Sequence, residues 1–480
     1  MTAILLDDDF LGDAVGKRFP LGVAAAVWEV QLPTVSNDAP VANKVLPVGA
    51  HPAWHRARHR QPGERVFTLE RTTAVGQNRP IKEEPMNAPL ALPALAEIRA
   101  HEDEMVAIRR QIHANPEMAY EEFATSDLVA ERLTRWGYEV HRGLGGTGVV
   151  GTLRAGTSTR RIGLRADMDA LPIEETTAKP WASKVLGKMH ACGHDGHTAM
   201  LLSAARHLAA TRNFDGIVHL VFQPAEEGLA GARKMLEDGF LDLFPCDAMF
   251  GMHNMPGLAA GKFAAVPGFA MASGDTCIIH VRGIGGHGAV PHHAVDSVVA
   301  ASSIVMALQT IVSRNVNPLH TGIISVGAFI AGDAPNVIPG VAELRLTVRA
   351  FRPDVRDLLE KRITEIAQTQ AAVFGATADV NYIRRYPVLN NHAKETAFCQ
   401  QVIRDWLGDD GLLANAEPVS ASEDFAFFLE RVPGCYVNIG NGVGSEGGCM
   451  VHNAGYDFND SVLSTGASYW VKLAQAFLNK

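Results

Sequence analysis

Met189-His190-Ala191-Cys192-Gly193-His194-Asp195-Gly196-His197 places three histidines, a cysteine and an aspartate within nine residues. Each can ligate a metal, and the two glycines let the backbone turn tightly around an ion. Cys192 and His194 stand two apart, so both side chains can reach one ion from an extended or turning backbone. Neutral imidazole and thiolate suit zinc best, with manganese, cobalt and nickel as further metals such donors accept. A closed structural zinc site wants four ligands, usually rich in cysteine, and this cluster has one cysteine. Outward from it the chain alternates short apolar runs with helical patterns. Val149 to Leu153 and Arg161 to Arg165 read as paired strands, the second ending at Asp167 and Asp169. Thr198 to Ala210 reads as a helix starting beside the cluster, and Ile217 to Phe222, branched and apolar, as a buried strand. This alternation predicts an α/β fold with its chemistry at strand ends.

More ligand types stand at such ends. Gln223-Pro224-Ala225-Glu226-Glu227-Gly228 follows the buried strand. Neighbours on an extended segment point to opposite sides, so one glutamate can bind metal while the other faces a metal-bound water. Ala248 to Asn254 is an apolar run that delivers His253 where the chain leaves the sheet, and Gly447 to Asn453 is a glycine-rich loop carrying His452. Taken singly, an acidic pair reads as a solvated loop and a lone histidine as a satisfied polar group. The ordered set, each member after an apolar segment, makes a dinuclear metal site the economical reading.

Residues 272–385 have a rhythm of their own. Asp275 to Arg282 alternates as a strand does, and Asp296 to Ser313 is a helix with Val298, Ala301, Val305 and Leu308 on its apolar face. Strands Thr321 to Ile330 and Val341 to Phe351, a long helix Pro353 to Phe374 and a closing strand Ala378 to Ile383 follow. The order βαββαβ is the ferredoxin-like motif, self-contained and therefore inserted. The flanking parts, 95–271 and 386–480, should form one catalytic domain. The second part holds a helix Glu395 to Trp406, the loop around Glu423, a strand Cys435 to Ile439 and a final helix Ser461 to Leu478. Residues 1–85 have no sustained period. Lys82-Glu83-Glu84-Pro85 precedes Met86, and a purine-rich run of codons there would match a bacterial ribosome-binding site. Met86 is thus expected to be the true start and 1–85 a translated leader; the alternative is a disordered extension.

The set Arg165 to Pro172, Met189 to His197, Gln223 to Gly228, Gly286-His287-Gly288-Ala289-Val290-Pro291-His292 and Ser422-Glu423-Asp424-Phe425 resembles the hippurate hydrolase branch of the aminoacylase and carboxypeptidase G family, from about Leu95 to the C-terminus. That resemblance implies a catalytic domain with a central mixed sheet flanked by helices, and the inserted segment as a lid. It implies two divalent ions, zinc foremost, on Cys192, His194, Glu227, His253 and His452, and hydrolysis of N-acyl amino acids by a metal-bound water with Glu226 as general base. It implies that His287 polarises the scissile carbonyl, often from the partner subunit, and that Asn336 and Arg349 grip the substrate carboxylate. In the wider family the matching aspartate orients a metal-binding histidine, which leaves Asp169 between a catalytic and a structural role. Hippurate, N-acetyl amino acids, auxin conjugates and aroyl-phenylalanine amides such as ochratoxin are substrates within the family. A homodimer or homotetramer through the lid is implied as well. Alternatives are a dipeptidase or carboxypeptidase of the same family, and a cysteine amidase using Cys192.

Composition narrows the classes. A formal charge of −9, with no basic stripe, argues against nucleic-acid binding. Six scattered cysteines without framework spacing read as reduced thiols in the cytoplasm. No apolar run approaches the roughly 18 residues of a membrane span.

Overall fold

Arg161–Asp167 and Gly216–Gln223 are covered on both faces; all of the first but Arg161 and every residue of the second are buried. They stand in the middle of the larger sheet of a computed structural model that describes residues 92–445 and 447–479. The expected leader, its histidine and arginine cluster at 51–60 and Met86 lie outside these residues. The strands in chain order are Glu139–Leu144 (β1), Gly148–Ala155 (β2), Arg161–Asp167 (β3), Gly216–Gln223 (β4), Ala248–Pro256 (β5) and Phe263–Ala264 (β6). Next come Gly268–Met271 (β7), Ser273–Arg282 (β8), Gly286–His287 (β9), Gly322–Ile330 (β10) and Val337–Ile338 (β11). Val341–Ala350 (β12), Thr377–Tyr386 (β13), Leu389–Asn391 (β14) and Gly434–Gly442 (β15) complete the set.

The large sheet has the order β1-β2-β4-β3-β5-β15-β6 and is mixed: β4, β3, β5 and β15 run parallel, while β1, β2 and β6 are antiparallel to their neighbours. Helices Glu102–His113, His194–Thr211 and Leu463–Phe477 pack together beside it, with Leu201, Leu208, Trp470 and Leu473 fully buried in the shared core. The expected pairing of β2 with β3 is corrected here, because β4 lies between them. The loop joining β2 to β3 steps over the start of β4. Asp215 accepts the backbone N–H groups of Thr157 and Ser158 at 2.6 and 2.7 Å, and Arg160 accepts from Ile217 at 2.8 Å.

The inserted segment makes a second, fully antiparallel sheet of order β10-β12-β8-β13, the arrangement of a ferredoxin-like unit. Its two helices, Ser297–Thr310 and Pro353–Val373, bury Ala301, Ile304, Leu308, Leu359 and Ile363 against Ile279, Leu344 and Leu346, a core separate from that of the large sheet. Asp296 caps the first helix, accepting from the N–H groups of Val298 and Val299 at 2.8 and 3.2 Å. That helix runs on through a π turn, Ile311–Asn315. By length and composition the whole span Ser297–Asn315 could cross a membrane. Serines break its apolar run in the sequence but leave mean hydropathy at 1.4. Here it packs on the lid sheet with Val299 and Met306 exposed. At the lid's base, β7 and β14 pair as a two-stranded ribbon that ties the two crossing chains together.

Candidate metal centre and active site

The helix beside the cluster begins at His194 rather than Thr198, so the cluster is half loop and half first helical turn. Gly193 makes the bend with φ +92°, and a Cβ there would stand 2.4 Å from Asn254 Nδ2 and from the Tyr456 hydroxyl. The bend carries Cys192 to the C-terminal end of β5, where its Sγ lies 3.3 Å from His253 Nε2. His253 donates its Nδ1–H to the Asn254 carbonyl at 2.6 Å, which leaves the Nε2 lone pair facing Cys192. His194 Nδ1 lies 3.1 Å from Asp169 Oδ1; a carboxylate only accepts, so Nδ1 carries the hydrogen. His194 Nε2 is buried and has no hydrogen-bond partner among the described residues. Glu227 arrives from the turn after β4, its N–H held by Asp169 Oδ2 at 2.8 Å. His452, exposed and with φ +61°, donates its backbone N–H to Ala191 at 2.7 Å, and its Nε2 stands 3.1 Å from Glu227 Oε1. Donor atoms of Cys192, His194 and His253, of Cys192, Glu227 and His452, and of His194, Glu226 and Glu227 each close to within 4.8 Å of one another.

These donors fit a pair of cations. Against burial, Asp167, Asp169 and Glu227 hold the His194 imidazole up to about 10, so the site attracts positive charge. Burial and the Glu227, Glu226 and Asp167 carboxylates push the Cys192 thiol well above its usual range. A thiol and three carboxylates in one buried space call for a counter-charge. The set of thiolate, imidazole and carboxylate suits zinc and its first-row neighbours.

Glu226 is buried beside these groups and lines the cleft. Burial, then Glu423, Glu227, Asp424 and Asp169, raise its carboxyl well above the usual glutamate range. Its turn is strained, with Ala225 at φ +54°. Three side chains from distant elements hold it. Glu122 accepts the Ala225 N–H at 2.9 Å, Tyr386 at the end of β13 donates its hydroxyl to the Glu226 carbonyl, and Asp169 holds Glu227. Arg165, fully buried, ties the strand ends together. It donates to Gln223 at 2.8 Å, Asp167 at 2.6 Å, Glu423 at 2.9 Å and Asp424 at 3.0 Å. Sequence reasoning gave Glu122, Arg165 and Tyr386 no role. Arg165 had a signal: an arginine in an apolar strand must be paired when buried, and Asp167 shares its face two residues on.

A cleft of about 470 Å³ opens over the cluster, with Met255, Met271, Val419, Met450 and Val451 among its apolar lining and Arg349 and Arg385 as its cations. Arg349 is thus brought to the donors. His287 and Asn336 are not among the residues lining this cleft. They sit together, exposed, on the lid's small β9–β11 ribbon, where the Asn336 carbonyl accepts from Gly288 N–H at 2.8 Å.

A mixed catalytic sheet, an inserted lid, and a donor cluster at strand ends beneath it define the class of two-domain amidohydrolases. The profile of Peptidase family M20/M25/M40 matches residues 163–476, and the chain belongs to that family. It is 45% identical to a hippurate hydrolase of Campylobacter jejuni over 80% of this chain and 99% of the relative. It is 41% identical to an IAA-amino acid hydrolase of Arabidopsis thaliana over 79% and 86%. Among solved structures, a putative aminohydrolase from methicillin-resistant Staphylococcus aureus superposes with TM-score 0.74 at 33% identity, covering 80% of this chain and 98% of that one. A dinuclear metal-binding peptidase of the M20 family from Bacillus subtilis does so with TM-score 0.68 at 33% identity, covering 79% and 99%. The chain is an amidohydrolase.

Proposed function

We propose that this enzyme hydrolyses the amide bond of N-acyl amino acids, releasing a carboxylic acid and a free amino acid. The observation that carries the reading is the convergence of Cys192, His194, Glu227, His253 and His452 donors beside Glu226, with His194 Nε2 left unpartnered. These five residues would hold two divalent ions, zinc foremost. Bound there, the ions supply Lewis acidity that lowers the pKa of water and stabilises charge developing on the carbonyl oxygen. Glu226 takes the proton of the attacking water and returns it to the leaving amine, a role that its raised affinity for protons suits. Asp169 positions His194 and Glu227, and Arg349 draws the substrate carboxylate into the cleft. The apolar lining by Met255, Met271, Val419 and Met450 suits a bulky acyl or aroyl group.

His287 and Asn336 are exposed and lie outside the lining of their own cleft, which supports their acting on the cleft of a partner subunit in a lid-to-lid homodimer. All six cysteines are free, which supports a reducing, cytoplasmic setting. The thiol-nucleophile alternative has the wrong electrostatics: a reactive cysteine needs a lowered pKa, and burial among carboxylates raises that of Cys192. The test is hydrolysis of N-benzoylglycine and N-acetyl amino acids by the purified protein, read by mass. A chelator should abolish it and zinc, manganese or cobalt restore it. Full activity in protein shown by elemental analysis to be metal-free would overturn the reading.

A further inference from the structure

We propose that Arg385 is a specificity residue, and that Arg349 and Arg385 together make the cleft select substrates bearing two carboxylates. The proposal rests on the reading of the chain as an N-acyl amino acid hydrolase. The register between β13 and β8 pairs Arg384 with Asp275 and Tyr386 with Gly274, so Arg385 is the extra residue of a β-bulge. Bulges re-aim side chains and recur beside active sites. This one sends consecutive arginines different ways. Arg384 meets Asp357 at 2.7 Å and Glu360 at 2.5 Å on the neighbouring lid helix. Arg385 turns into the cleft, where it donates to the Gly228 carbonyl at 2.9 Å, one residue past Glu227, and to Thr276 Oγ1 at 3.3 Å.

Both acceptors are neutral, and Arg385 has no carboxylate within ion-pair distance among the described residues. A guanidinium has five N–H donors, and two are used here. Arg349 is in a similar state: among the described residues its side chain makes one hydrogen bond, to the Val348 carbonyl at 3.2 Å, and it too lines the cleft. Asp275, the nearby acid, accepts the Arg385 backbone N–H at 3.1 Å, and its remaining bonds go to side chains other than those of Arg349 and Arg385. It takes Arg356 at 2.8 and 2.5 Å and the Tyr382 hydroxyl at 2.9 Å. Arg349 pairs with Gly274 across β12 and β8, while β13 flanks β8 on its other side. The two arginines therefore spring from strands two spacings apart, roughly 9–10 Å. Two separate guanidiniums on one cleft, neither paired with a carboxylate among the described residues, let two carboxylates on one extended substrate take one each. The second could belong to the amino acid's side chain or to the acyl group.

The experiment uses metal-loaded wild type, Arg385→Gln and Arg385→Lys, and two matched pairs. N-benzoyl-glutamate against N-benzoyl-glutamine puts the second carboxylate on the amino acid. N-succinyl-phenylalanine against its terminal amide puts it on the acyl group. In wild type, kcat/KM should favour the acid over the amide by roughly 10- to 100-fold in one pair, the usual worth of a charged hydrogen bond. That ratio should collapse to near one in Arg385→Gln and recover in part in Arg385→Lys. The pair that responds shows which end carries the anion. A ratio near one in wild type for both pairs overturns the proposal. So does a ratio that survives Arg385→Gln while both members slow equally, because Arg385 would then be only a latch between lid and turn. Cleavage of simple N-acetyl amino acids but of none of the four overturns this proposal alone, and cleavage of no amide at all overturns the reading beneath it.

Discussion

Asp169→Asn should strip the enzyme of metal without disturbing its fold, and the reason lies in two hydrogen bonds. One carboxylate serves two donors: Oδ1 faces His194 Nδ1 at 3.1 Å and Oδ2 accepts the Glu227 N–H at 2.8 Å. The residue is buried, so water cannot readily substitute. Asparagine keeps one acceptor and makes the other a donor. If its amide NH2 faces Glu227, two donors meet and a buried N–H is left unsatisfied, at about 1–3 kcal/mol. If it faces His194, the imidazole must move its hydrogen to Nε2, and the lone pair aimed at Cys192 and His253 is lost. Either outcome lowers affinity by roughly 10- to 100-fold, in line with other outer partners of metal-binding histidines. Competition against a chromophoric chelator reads the affinity, and the nitrogen shifts of labelled imidazole read the tautomer. With metal in large excess, kcat should recover most of its wild-type value. A variant that binds both ions as wild type does, yet loses 100-fold or more in kcat, would refute the positioning role and make Asp169 a proton carrier.

The glutamate pair separates in the same way. Glu226→Gln should keep its metal while kcat falls by roughly two to four orders of magnitude, the usual worth of a general base, whereas Glu227→Gln should lower metal occupancy; the reverse pattern in elemental analysis would swap their roles. If His287 serves a partner's cleft, mixing inactive His287→Ala with inactive Glu226→Gln should restore activity after subunit exchange, since one site inherits both defects and the other neither. Verified exchange with no recovery would confine His287 to its own chain. A pH effect belongs to His113, buried 2.8 Å from Asp195 and 3.4 Å from Glu175. Burial works against its charge, but Asp195 and Glu175 raise it to about 9. Its contribution to stability is complete below the unfolded value of about 6.5 and is lost as pH rises through about 9. The Tm should therefore fall between pH 7 and 10 in wild type and fall less in His113→Gln; parallel profiles would count against the ion pair.

What the sequence disclosed about the fold follows from the range of each signal. The lid was legible because its strands alternate and its helices carry an apolar face, both short-range patterns. Asp296 and Pro353 also mark its helix starts within a residue. The strand Glu139–Leu144 left no such trace: it is an edge strand with only Leu144 buried. The order of β2, β4 and β3 was equally hidden. Adjacent apolar runs look like partners, and only the clasp of Asp215 on the loop at 157–158 shows why a third strand comes between.

The nine-residue cluster shows where residue type and spacing stop deciding. His194 and His197 are three apart in one helix, with ring centroids 5.5 Å from each other, and each gives Nδ1–H to an aspartate at the end of β3. Up to that point the two are equivalent as ligands. His194 takes Asp169 and keeps Nε2 open toward Cys192 and Glu227. His197 takes Asp167 at 2.6 Å, and its Nε2 then accepts the backbone N–H of Asn254 at 3.0 Å. With both nitrogens committed, His197 has no lone pair left for an ion. Asp195 places Oδ2 on Arg109 and His113 at 2.8 Å each, and its Oδ1 is buried without a hydrogen-bond partner among the described residues. What separates His194, with Nε2 open, from His197, with both nitrogens engaged, is therefore Asn254 on β5, 57 residues from His197. Removing that closure without moving the helix should turn a strut into a ligand. Asn254 Nδ2 also stands 3.0 Å from His197 Nε2 and donates to the Cys192 carbonyl at 2.7 Å. The same asparagine that closes His197 thus holds the Cys192 backbone in place, so a single residue outside the cluster governs both which imidazole stays open and where Cys192 stands.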